Sequence, residues 1–304
     1  MKPYGMMITL LSFSINLTVA QSIQPYLLCA ESTESPEIVR DKILKICEEY
    51  SFKFIGEYRP LFAPKTLIIA LTSPDLQGAV KQVGGMTGVS SAWRLLIEQK
   101  DDKVQVSYPN PEYWGNAIFQ DDFSKVEYTR YMAMSGKLNQ LCGSVGTMVE
   151  SGFGSESGIS ADDLRHFNLP SAGDPSIDRS AVVATFANFE EAIATIDSHF
   201  RESNLAVNSI YQVEIPDKKM KLYGFATKPE SSGSVSILPA EVPANLSFLP
   251  IEVLVREGEV HMLNSQFIVP MVFPSQPSES LNDVIKYYDD VKKLLEPVLV
   301  ALKE

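Results

Sequence analysis

Apolar positions along this chain follow two rhythms, one helical and one alternating, and they recur in the same order twice. Val39, Ile43, Ile46 and Tyr50 share one helical face, and Pro36 suits a first turn. Strand-like runs follow in FKFIGEY (52–58) and TLIIAL (66–71). Ser73-Pro74-Asp75 reads as the cap and first turn of a short helix. SAWRLLIE (91–98) and KVQVSY (103–108) then predict two strands joined by the polar link QKDD.

The second half repeats this order. Asn188 with Glu191 three residues later is close to a capping box, and Phe189, Ile193, Ile196 and Phe200 form the stripe behind it. AVNSIYQVEI (206–215) and KLYGFAT (221–227) read as strands. PIEVLVREGEVHML (250–263) reads as a hairpin turning at Glu257-Gly258. Ile97 then aligns with Val255, Val104 with Val260 and Arg94 with Glu252. Each half ends in a helix, one carrying Tyr128, Tyr131, Leu138, Cys142 and Val145. The other carries Leu281, Val284, Tyr288, Val291, Leu295 and Val298, with Pro297 as a predicted kink.

The predicted fold is α+β: internally duplicated antiparallel sheets with helices packed on one face. The first repeat spans 31–119 and the second, with its C-terminal helix, 181–304. Residues 120–180 hold a helix and a Gly/Ser-rich connector, loose over 143–158 and restarting at the capped segment from Ser160 to Asp163.

Before these repeats lies a different pattern. Lys2 is followed by the apolar run MMITLLSFSINLTV (6–19) and by small residues at Thr18-Val-Ala20, which predicts a secretory signal peptide over 1–20. The run is shorter than the ~20 residues of a membrane-spanning helix. The expected location is therefore periplasmic or extracellular, with no membrane span in the mature chain. Leu28 before Cys29 argues against lipidation. In an exported chain, Cys29 with Cys142 is the one disulfide pairing to entertain, and Cys47 on a helical stripe reads as a small buried hydrophobe. In a eukaryotic host, Asn245-Leu-Ser247 would form a glycosylation sequon.

The net charge of −12 disfavours nucleic acid and anionic membranes as partners. The three histidines, His166, His199 and His261, lack ligand spacing and no CxxC occurs, so no metal is expected. Nucleophile elbows, P-loops and dinucleotide turns are also missing, so no catalytic residue or cofactor is assigned.

Two features remain as candidates for ligand binding. In YPNPEYWGNA (108–117), Asn110 reads as a helix N-cap and Pro111 as its first residue. Tyr108, Tyr113 and Trp114 there read as core at a structural corner, or else as the mouth of a pocket. Arg94 and Glu252 each interrupt an apolar strand at the same repeat position. They are either solvated or paired across a pseudo-twofold axis, marking a polar spot in a cleft.

The hairpin opening FLPIEVLV (248–255) and the segment GFGSESGISADDLRHF (152–167) resemble exported members of the bacterial domain-of-unknown-function family 302. That resemblance implies a fold similar to the TATA-binding protein, an antiparallel sheet with helices on one face, and implies no activity. The first half departs from it in lacking the Leu-Pro that opens the equivalent strand. The functional expectation is a non-enzymatic protein binding a small molecule between the repeats. A hydrolase or isomerase using scattered groups such as Glu252 and Tyr108, and a scaffold subunit of an envelope complex, are the alternatives.

Overall fold

The computed structural model describes residues 22–60, 63–172, 179–201, 206–228 and 246–299. The predicted signal peptide and Asn245 lie outside the described residues.

Two antiparallel sheets are built along the same path. The first comprises β1 (Tyr26–Ser32), α1 (Pro36–Ile46), β2 (Lys53–Tyr58), β3 (Thr66–Thr72), α2 (Pro74–Val83), β4 (Trp93–Lys100) and β5 (Lys103–Pro109), then α3 (Pro111–Phe119) and α4 (Lys125–Gly143). Next come β6 (Thr147–Phe153) and α5 (Ala161–His166). The second sheet comprises β7 (Ser180–Thr185), α6 (Phe189–His199), β8 (Val207–Ile215), β9 (Met220–Thr227), β10 (Ile251–Arg256) and β11 (Glu259–Leu263). It is followed by α7 (Ser265–Val272) and α8 (Asn282–Leu299). The strand orders are β2-β3-β4-β5-β1-β6 and β7-β11-β10-β9-β8. Apart from β6, the second order is the first traced in reverse, with each strand replaced by its counterpart.

Three sequence expectations are corrected. The halves open on strands, β1 and β7, not on helices. Both strands take the far side of their hairpin, so their signal comes from pairing rather than from clean alternation. The stretch read as a loose connector contains β6, which pairs with β1; glycines do not prevent a ladder whose hydrogen bonds come from the backbone. Tyr128, assigned to the buried stripe of α4, is exposed, whereas Tyr131, Met134, Leu138, Leu141 and Cys142 are buried.

Pairing also refines the alignment of the halves. Ile97 lies opposite Val106 and Val255 opposite Val260, so the counterpart of Val260 is Val106, not Val104. The four-residue link QKDD shrinks to a tight turn at Asp101-Asp102 between Lys100 and Lys103. Matching bulges interrupt β2 between Phe54 and Gly56 and β8 between Ser209 and Tyr211. Such bulges bend a strand and re-aim its side chains.

The caps form as their residue types require. Ser35, Ser73, Asn110, Ser160 and Asn188 each accept a hydrogen bond from the first turn of their helix. Helices cover one face of each sheet. Trp93 meets Tyr131 of α4 edge to face at 5.8 Å, and Phe200 after α6 stacks on Phe225 at 4.7 Å. The opposite face of the second sheet receives the segment Gly85–Ser91: a Cβ on Gly88 would lie 2.7 Å from Leu254 Cδ1. Cys29 and Cys142 form a disulfide that ties β1 to α4, and Cys47 is free and buried.

Candidate functional site

The site begins with a backbone constraint. Arg94 on β4 lies opposite Ala70 on β3, which lies opposite Gly56 on β2. In the second sheet Glu252 lies opposite Gly224, and Gly224 opposite Tyr211. The small residues in these rows are required by close approach. A Cβ on Gly56 would sit 2.2 Å from the Ile210 carbonyl oxygen, and one on Gly224 2.5 Å from the Tyr211 ring. The edge strands β2 and β8 therefore meet closely, and the two rows face each other.

There the Arg94 guanidinium donates to Glu252 Oε1 at 2.5 Å and to the Tyr211 hydroxyl at 3.0 Å, while that hydroxyl donates to the same carboxylate oxygen at 2.5 Å. The side chains are only 15% and 9% exposed, so solvent screens the pair little. Burial pushes the Glu252 carboxyl above the ordinary carboxylate range, against the opposing pull of Arg94 and Tyr211. Burial, reinforced by the Glu252 charge, also drives the Tyr211 hydroxyl far above its usual range.

A cavity of about 40 Å³ opens beside this pair. Its walls come from equivalent positions of the two halves: Ser90 and Phe248, Arg94 and Glu252, Pro109 and Leu263, Trp114 and Ile268. Trp93 and, from α8, Tyr288 complete the polar part of the lining. A cavity lined this way lies where the two halves are related to one another.

Of the five residues singled out in the sequence, three meet here: Arg94, Glu252 and Trp114. Tyr108 and Tyr113 do not. Tyr108 is fully buried against α4, its hydroxyl donates to Asn139 Oδ1 at 2.5 Å, and burial raises it to about 12. Tyr113 donates at 2.9 Å to the Met271 carbonyl in the last turn of α7. Tyr26 donates at 3.0 Å to Val272 and Ser171 at 3.2 Å to Pro270, so three hydroxyls satisfy successive carbonyls at one helix end.

The corner reading of YPNPEYWGNA also holds. Asn110 Oδ1 accepts from the Glu112 N–H at 3.1 Å, and its amide donates to the Gln24 carbonyl at 2.7 Å. Trp114 is 9% exposed, with its indole N–H on the Pro25 carbonyl. It is both a core residue and a wall of the cavity.

Sequence reasoning missed Tyr211, Trp93 and Tyr288. Tyr211 reaches Glu252 through the bulge in β8, which no residue pattern announces. Trp93 packs edge to face on Tyr131 at the helix-covered face. It stands at the first position of β4, where the cavity wraps the strand end.

The histidines are dispersed. His199 bonds the Val298 carbonyl, His166 lies against Asp162, and His261 meets Glu259. Among the described residues, no group of three or more His, Cys, Asp or Glu side chains is placed to hold a metal ion. Among the same residues no helix is long and apolar enough to cross a membrane.

No family model matches the chain, and no curated protein matches it. A solved structure does: the crystal structure of an uncharacterized conserved protein DUF302 from Bacillus stearothermophilus. The identity is 8%, the match covers 38% of this chain and 97% of that one, and the TM-score is 0.33. The chain weakly resembles a DUF302 protein. That neighbour is itself uncharacterised, and the likeness assigns no activity.

Proposed function

We propose that this is an exported, non-enzymatic protein that holds a small molecule in the cavity between its two halves. One observation carries the reading: a single cavity is lined by matching positions of both halves and contains a buried ion pair, one partner from each. Ligand sites are mostly apolar enclosures with a few placed polar groups, and this lining has that character. Export is supported by the signal-like pattern before Gln21 and by the Cys29–Cys142 disulfide, a bond that persists in oxidising compartments.

The test uses a property of the chain. It has two tryptophans, and both Trp93 and Trp114 line the cavity, so intrinsic fluorescence reports on it directly. A small-molecule screen should give saturable changes in that signal, and native mass spectrometry of protein from its own host should reveal a co-purifying molecule. A signal that responds to no compound, with only bare protein mass, would overturn the proposal.

A second reading, a hydrolase or isomerase, rests on Glu252 itself. A carboxyl raised by burial and held by Arg94 and Tyr211 has the character of an acid–base group. Tyr108, the other group named for that role, does not line this cavity, and its hydroxyl donates to Asn139 Oδ1. Turnover lost in Glu252→Gln with binding retained would favour the enzyme.

A further inference from the structure

The cavity between the halves offers a ligand mostly carbon. Pro109 and Trp114 form its wall on the side of the first half, and Leu263 and Ile268 on the side of the second. Trp114 spends its indole N–H on the Pro25 carbonyl, so its ring carbons are what remain for a ligand. The indole nitrogen of Trp93 is closed to solvent and is no more available. Ser90 and Tyr288 carry one hydroxyl each.

The charged part of the lining is already in balance. Arg94 donates to Glu252 and to the Tyr211 hydroxyl, and that hydroxyl donates to the same carboxylate oxygen. One charge cancels the other, in side chains only 15% and 9% exposed. A carboxylate entering here would leave one negative charge uncompensated, and an ammonium group one positive charge. Either is strongly unfavourable at a buried position. An apolar group carries no such penalty and gains by taking its surface out of water.

Size narrows the ligand further. One water needs roughly 10–15 Å³ of cavity measured this way. A cavity of about 40 Å³ therefore matches about three non-hydrogen atoms.

Resting on the binding reading above, we propose that the cavity takes the apolar end of an uncharged ligand. That end is a hydrocarbon group of about three carbons, held against Trp114, Leu263 and Ile268. The balanced Arg94–Glu252 pair turns away charged analogues of the same size.

Short straight-chain alcohols share one hydroxyl and differ only in carbon, so they test this directly. Methanol, ethanol, 1-propanol, 1-butanol and 1-pentanol are titrated separately into the whole protein, and the carbon-13 methyl signals of Leu263 and Ile268 are followed. Affinity should rise about fourfold with each carbon up to propanol, the gain from burying one methylene, and level off beyond it. Propionate and propylammonium, at matched ionic strength, should leave both signals in place at concentrations where propanol saturates. Glu252→Gln leaves Arg94 uncompensated and should admit propionate. Continued exclusion of propionate by that folded variant would overturn the part given to the ion pair. If either charged compound binds the wild type as tightly as propanol, or affinity does not grow with chain length, the ligand class is wrong while the binding cavity stands. If no compound moves either signal, the class and the binding reading both fail.

Discussion

Arg94 and Glu252, 158 residues apart in the chain and at equivalent positions of two sheets, form a buried ion pair bridged by the Tyr211 hydroxyl. The pair forms because Gly56, Ala70 and Gly224 leave room for the two edges to approach. Removing one partner strands a buried charge. Arg94→Met alone should destabilise the protein by about 3–5 kcal/mol, and the double variant Arg94→Met/Glu252→Leu by clearly less. Urea denaturation of the single and double variants provides the cycle. Additive losses would mean that the charges do not interact.

The same carboxyl makes stability depend on pH. Its folded-state pKa is raised above the ordinary value of 4.5. The folded protein therefore holds the Glu252 proton to higher pH than the unfolded chain does. The contribution is fully present below the unfolded pKa and is lost as pH rises through the folded one. Thermal melts of the wild type and Glu252→Gln across this range should diverge, with the wild type losing stability that the glutamine variant retains. Parallel curves would show that Glu252 titrates alike in both states.

At the corner after β5, Asn110 and Trp114 carry different loads. Asn110→Ala removes the cap on Glu112 and should cost about 1 kcal/mol. Trp114→Ala empties a buried site and should cost about 3–5 kcal/mol. Guanidinium unfolding of the two variants separates these magnitudes. Equal small losses would refute the core role of Trp114.

Tyr113 and Tyr26 donate to neighbouring carbonyls at the end of α7. Each Tyr→Phe change keeps the ring and should cost about 0.5–1.5 kcal/mol, more if the carbonyl stays buried and unpaired. Calorimetric melts of both variants measure it. A Tyr113→Phe protein as stable as the wild type would mean that water replaces the hydroxyl.

The disulfide closes a loop between residues separated by 113 positions. A long loop gives a large entropic restriction of the unfolded chain, so reduction should cost about 2–5 kcal/mol. Melting with and without dithiothreitol checks this. Cys47, free and buried, should remain unreactive until the protein unfolds.

Much of this architecture follows from the chain's local pattern. Helical stripes such as Val39/Ile43 and Val284/Tyr288/Val291/Leu295 are buried because their spacing places them on one face. Asn110, Ser73 and Asn188 cap helices because a short polar side chain meets orphan N–H groups without any tertiary partner. The repeated order of strands, and the match of Arg94 with Glu252, are also sequence-level facts. Tertiary structure decided the rest. β1, β6 and β7 exist because neighbouring strands supply their hydrogen bonds, and a strand's partners are not encoded in its own alternation. Tyr211 joins the ion pair because a bulge shifts its register, and a one-residue shift turns a side chain to the other face. Tyr108 and Tyr113 leave the cavity while Trp93 and Tyr288 enter it, because a cavity between two halves is shaped by how their surfaces meet. Local periodicity determines which face each residue takes, but the contact between the two sheets determines which faces enclose the site.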